Sequence, residues 1–177
     1  MNDVPAPVWR DPDDWPKAGR PVALWPYLTS AGSLTEMLRT KAGVSFHVDV
    51  LSEAEQALEP EDAALLEVAP RSPGYVRQVR LCGPEPWVYA RSITHGGGER
   101  WLKQLGDQPL GERVFAAPDA RRGPIQIAHL HPGDTLFELA AEQQEHPPVS
   151  LWARRSVLQV GGAAILIYEC FYPELGA

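Results

Sequence analysis

The chain has only two cysteines, Cys82 and Cys170, in 177 residues. That excludes a disulfide framework and a four-cysteine zinc site, and two reduced thiols are expected. No apolar run reaches the roughly 18 residues of a membrane-spanning helix. The opening Met1-Asn2-Asp3-Val4-Pro5 is polar and acidic and lacks the apolar segment of a secretory leader, so a cytoplasmic protein is expected. Positive charge is scarce: 16 Lys and Arg stand against 23 Asp and Glu, a net charge of −7. With no basic stripe to offset it, nucleic acid is not an expected partner. Nucleotide and hydrolase signatures are missing too. Gly96-Gly97-Gly98 lacks the Lys-Ser/Thr of a phosphate loop, no Rossmann glycine pattern follows a strand, and there is no Gly-x-Ser-x-Gly elbow.

What remains is a globular composition, 44% apolar and 22% charged, with enough length for one core. Eighteen prolines favour many short elements over long helices. A single domain over 1–177 is expected. Residues 1–28 read as an irregular N-terminal arm whose Trp9, Trp15 and Trp25 dock it onto the domain. Residues 131–148, polar and closed by Pro147-Pro148, read as a surface insertion with one helix at 136–143.

Ser33-Leu34-Thr35-Glu36 is a capping box that opens a short helix ending near Gly43. Val44, Phe46, Val48 and Val50 alternate along a strand, and Ser52 and Glu55 suggest a helical turn after it. Tyr75–Cys82 and Trp87–Thr94 flank Gly83-Pro84-Glu85-Pro86 as a hairpin. Short helices follow around Trp101–Leu105 and from Pro109, then a strand over 124–130. Gly161-Gly162 joins Leu151–Val160 to Ala163–Tyr172 in a second hairpin, because glycine supplies the positive φ of a two-residue turn. The fold class implied is α+β, short helices on an antiparallel sheet.

Two charges stand out on apolar strand faces. Arg77 shares a face with Tyr75, Val79 and Leu81, and Glu169 shares one with Ile165, Ile167 and Phe171. A lone buried charge needs a partner. Either the two pair with each other or with neighbours, or they hold opposite ends of one bound molecule. Arginine's planar fork suits a carboxylate. A carboxyl group in an apolar pocket has its pKa raised and can donate or accept a proton. Of Arg154-Arg155, alternation points one inward. Arg121-Arg122 reads as a solvated loop pair. His129 and His131 share a strand face without a third metal ligand at a telling spacing, so no metal is expected.

The same residues carry a family resemblance. Tyr75 to Cys82, then Glu85-Pro86-Trp87 and Ala90-Arg91-Ser92, resemble the central hairpin of bacterial chorismate pyruvate-lyases. Leu105-Gly106-Asp107-Gln108-Pro109-Leu110-Gly111, Leu151-Trp152-Ala153-Arg154-Arg155-Ser156 and Tyr168-Glu169-Cys170-Phe171-Tyr172-Pro173 are similar to three further segments of that family, in the same order. The resemblance implies a monomeric six-stranded antiparallel sheet with helices packed on one face. It implies conversion of chorismate to 4-hydroxybenzoate and pyruvate, toward ubiquinone, with no cofactor. Carried over residue by residue, Arg77 grips the ring carboxylate and the backbone N–H of Leu110 assists it. Glu169 lies at the 4-oxygen end, and Leu34 contributes through its backbone where the family often has methionine. The competing reading is a non-catalytic module that senses an aromatic carboxylate, since the fold also resembles effector domains of bacterial transcription regulators.

Overall fold

The structure, a computed structural model, describes residues 6–177. The opening Met1–Pro5, read above as free of a leader, lies outside the described residues. Among the described residues seven strands form one sheet: β1 (His47–Ala57), β2 (Pro73–Cys82), β3 (Pro86–His95), β4 (Arg121–Arg122), β5 (Gln126–Leu130), β6 (Leu151–Val160) and β7 (Ala163–Phe171). Their order is β1-β2-β3-β7-β6-β4, with β5 also on β6, and every pairing is antiparallel.

Six strands were expected and seven form. The extra one arises because β4 and β5 lie in line along one edge of β6, Arg122 opposite Leu158 and Gln126 opposite Arg155. Gly123 and Pro124 interrupt that edge, and proline has no N–H to donate to a ladder. The Gly161-Gly162 turn forms as expected, with φ of 56° and 75°.

The strand after Gly43 differs from its expected bounds. It begins at His47, and Val44 is fully exposed in a 3-10 turn. It then runs through a bulge between Val50 and Ser52 to Ala57, so the helical turn expected at Ser52–Glu55 does not form. The open edge of β2 offers these residues a ladder of hydrogen bonds, and an edge strand tolerates their polar side chains.

Among the described residues six short α-helices cover the sheet: α1 (Trp25–Thr29), α2 (Leu34–Ala42), α3 (Pro60–Leu65), α4 (Glu99–Lys103), α5 (Leu110–Phe115) and α6 (Thr135–Ala141). In α2 the Ser33 hydroxyl accepts from the Glu36 N–H at 3.2 Å, and Gly43 ends the helix at φ 58°. Helices on one face were expected, yet both faces are covered. Leu28, Leu34 and Leu38 pack on Val79, Val88 and Phe171, while Leu102 and Val114 pack on Ile165 and Ile167. On the opposite face Phe137 and Ala140 of α6 pack on Tyr89 and Cys170, and Ala63 of α3 packs on Val76 and Tyr168. Strands β2, β3 and β7 therefore bury residues on both faces.

The segment 131–148 is accordingly not an excursion outside the core. Phe137, Ala140 and Ala141 are buried, and the Tyr172 hydroxyl donates to the Ala140 carbonyl at 2.8 Å. Of the polar residues in its helix, Thr135 and Glu138 are exposed, opposite the buried Phe137 and Ala140. The N-terminal arm does dock through its tryptophans. Trp15 meets Trp152 edge-on at 4.8 Å and donates to the Ile127 carbonyl, while Trp9 lies 5.8 Å from Tyr168.

Candidate active site

The pleat places Arg77 and Glu169 on the same face of the sheet. Arg77 on β2 stands opposite Ser92 on β3, and Ser92 opposite Ile167 on β7; Glu169 lies two residues further along β7. Both line one cavity of about 40 Å³ between this face and helices α2 and α5, together with Leu34, Leu110, Arg122 and Ile167. All four residues singled out from the sequence are thus brought together.

The two charges do not pair with each other. Arg77, 2% exposed, meets the Glu53 carboxylate at 3.0 Å and donates to the carbonyls of Gly106 and Gln108 at 2.8 and 3.2 Å. These contacts engage three of its five N–H donors and leave two for an anion. Glu53 lies in the stretch read as a helical turn, so nothing in the sequence pointed to it. The two carbonyls belong to the Leu105–Gly111 segment, which the guanidinium draws over the sheet.

Glu169 is 6% exposed and stands opposite Arg154 across β6 and β7. Arg154 Nε donates to its carboxylate, and Arg154 Nη1 donates to the carbonyls of Tyr27 and Ser30 at 2.8 Å each. Alternation required one of Arg154 and Arg155 to face inward, and it is Arg154. Arg155 on the other face pairs with Glu61 and lies over the Trp9 ring.

The protonation expected for Glu169 is reversed. Burial pushes its pKa up, but the guanidinium of Arg154, then that of Arg122, and the hydrogen bond from Arg154 outweigh burial and hold it below the usual carboxylate range. The group is a carboxylate at neutral pH, an acceptor of hydrogen bonds and a weak base.

Arg122 corrects a second expectation. It lies on β4 rather than in a solvated loop, lines the cavity, and donates from Nη1 to Ser156 Oγ at 2.5 Å. A two-residue strand leaves no alternation to read, so no sequence signal placed it.

Histidines 129 and 131 do share a face, with rings 4.5 Å apart. His129 instead stacks on Trp152 and bonds Ser150. Among the described residues no third ligand joins them; the single candidate cluster is His47, Asp49 and Cys82. There Asp49 is paired with Arg80 at 2.9 Å, and the Cys82 thiol, pushed up to about 12 by burial and by Asp49, donates to that carboxylate. Cys170 is a free, buried thiol whose pKa is raised by burial and by Glu169. Neither thiol is a nucleophile.

The sequence profile of the chorismate lyase family matches residues 5–175. The chain belongs to the chorismate lyase family. Curated relatives include a probable chorismate pyruvate-lyase of Marinobacter nauticus, 37% identical over 90% of this chain and 80% of its own length. One from Halorhodospira halophila is 38% identical over 88% of this chain and 85% of its own. Among solved structures, the effector domain of PhnF from Mycobacterium smegmatis superimposes with a TM-score of 0.60 at 12% identity, covering 82% of this chain and 91% of that one. The C-terminal domain of the histidine utilization repressor from Pseudomonas syringae gives 0.55 at 12% identity, over 73% and 92%. At that identity the likeness is one of fold. The fold is thus shared with that effector domain and that repressor's C-terminal domain. No helix among the described residues is long and apolar enough to cross a membrane.

Proposed function

We propose that the protein eliminates pyruvate from chorismate to leave 4-hydroxybenzoate. The observation that carries this is the convergence of Arg77 and Glu169, from different strands, on one covered cavity in a member of this family.

Chorismate carries a carboxylate at C1, an enolpyruvyl ether at C3 and a hydroxyl at C4. The C3–O bond breaks and its electron pair leaves with the enolpyruvate oxygen. The C4 hydrogen departs as a proton, the ring becomes aromatic, and the enol takes a proton at its methylene carbon to become pyruvate. Aromaticity supplies the driving force, so the protein has to align the substrate and stabilise developing charge.

Arg77 takes the ring carboxylate on its free donors, aided by the N–H of Leu110 in the first turn of α5, which has no partner within the helix. Glu169, ionised, accepts a hydrogen bond from the 4-hydroxyl, and Leu34 closes that end through its backbone. Tightening of the Glu169 contact as the ring flattens favours the transition state over the ground state. None of these roles calls on a cofactor.

A cavity of about 150 Å³ accommodates a benzene ring. The space of about 40 Å³ is smaller than that, and we propose that α2 and α5 part to admit the substrate.

Incubation of purified protein with chorismate, followed by chromatography, is expected to give 4-hydroxybenzoate and pyruvate in equal amounts. Absence of both, or another hydroxybenzoate, refutes the proposal.

A further inference from the structure

Arg122 differs from the other arginines packed on this sheet. Arg77, Arg80, Arg91, Arg154 and Arg155 each meet a carboxylate. Arg122 forms no ion pair among the described residues; it has the Ser156 hydroxyl and the Phe115 ring, 5.4 Å away, as neighbours, and its Nε is buried without a partner. Burial pushes its pKa down, and the pull of Glu169 opposes that shift. A desolvated cation with an unmet donor is costly unless an anion arrives from outside.

Its place on the sheet says which anion. Along the order β2, β3, β7, β6, β4, Arg77 lies at one end of the cavity and Arg122 at the other, with Glu169 between them. Cation, hydroxyl acceptor and second cation therefore follow one another across the floor. A ligand that matches carries two carboxylates and a hydroxyl.

We infer that Arg122 binds the carboxylate of the enolpyruvyl side chain, making this end of the cavity a site for dicarboxylates that the aromatic product leaves empty. This rests on the proposed lyase reading, in which C3 carries the side chain and C4 the hydroxyl. Negative charge gathers on the departing enolpyruvate beside the guanidinium, which stabilises it. The product, with one carboxylate, makes no use of Arg122.

The test compares a two-carboxylate ligand with a one-carboxylate ligand. For Arg122→Met, kcat/KM on chorismate is expected to fall about 10- to 100-fold, the loss of a charge-assisted contact. The Kd for 4-hydroxybenzoate, read by tryptophan fluorescence, is expected to stay within about twofold. Arg122→Lys keeps the charge and recovers part of the chorismate loss; it also serves if the Met variant does not fold. Equal losses for both ligands overturn the inference. So does a large drop in melting temperature with unchanged kcat/KM per folded molecule. The same ratio is measured as equilibrium Kd values for chorismate and 4-hydroxybenzoate. Wild-type protein that binds chorismate without turnover refutes the lyase reading, while this ratio still decides Arg122. Failure of the wild type to bind chorismate overturns both.

Discussion

Arg154 and Glu169 face each other as direct partners on β6 and β7 and share a buried charge-assisted hydrogen bond, while Arg154 also ties down the carbonyls of Tyr27 and Ser30. One guanidinium thus sets the ionisation of the cavity carboxylate and anchors the chain just before α2. Removing it leaves Glu169 buried with its nearest compensating charge gone. Arg154→Met is expected to cost about 3–5 kcal/mol, as does breaking other buried pairs. Chemical denaturation checks this, and a loss under 1 kcal/mol would mean the pair behaves like an exposed one.

Arg77 and Glu169 should separate in their kinetics. Arg77→Lys cannot reproduce the planar fork, and is expected to weaken chorismate and 4-hydroxybenzoate together by about 10- to 100-fold. Because Arg77 also holds Gly106 and Gln108, Arg77→Ala should lower stability as well. Glu169→Gln is expected to reduce kcat more than it raises KM, since its contact strengthens as the ring becomes aromatic. A Glu169→Gln enzyme with wild-type kcat would remove Glu169 from the mechanism.

Acid should destabilise the fold in a particular window. The pKa of Glu169 is lower folded than unfolded, so its contribution is complete above the ordinary carboxylate pKa of about 4.3 and is lost as pH falls through the depressed folded value. Denaturant midpoints measured from neutral pH downward should fall most steeply below that ordinary value. In Glu169→Gln this part of the slope should be missing.

Gly111 lets α5 close over α2. A Cβ at this position would stand 2.7 Å from Thr35 Oγ1, so Gly111→Ala has to displace the Thr35 side chain or the helices at the cavity mouth. Overpacking of this kind costs about 1–3 kcal/mol. The expected result is a raised KM for chorismate with a smaller change in melting temperature. Unchanged KM would show that this contact does not control entry.

Most of the strand and helix positions were legible because their signals are local. Gly161-Gly162 dictates its turn by φ, Ser33 and Glu36 dictate a helix start by capping, and the alternation Tyr75, Arg77, Val79 places Arg77 on the inner face of β2. Glu169 was legible for the same reason. The Phe137 and Ala140 face of α6 was obscured by its polar neighbours, because composition averages over a helix whose buried stripe is narrow.

The sequence alone therefore determined the α+β class, the two hairpins and the presence of one cation, Arg77, and one anion, Glu169, on apolar strand faces, all consequences of neighbours a few residues apart. Which charge meets which was decided only by the tertiary structure. Register across strands sets Glu53 against Arg77, Arg154 against Glu169 and Arg122 against Leu158 at the cavity wall. These contacts join residues 15 to 36 positions apart, and the strength of a buried charge depends on what surrounds it in space rather than along the chain.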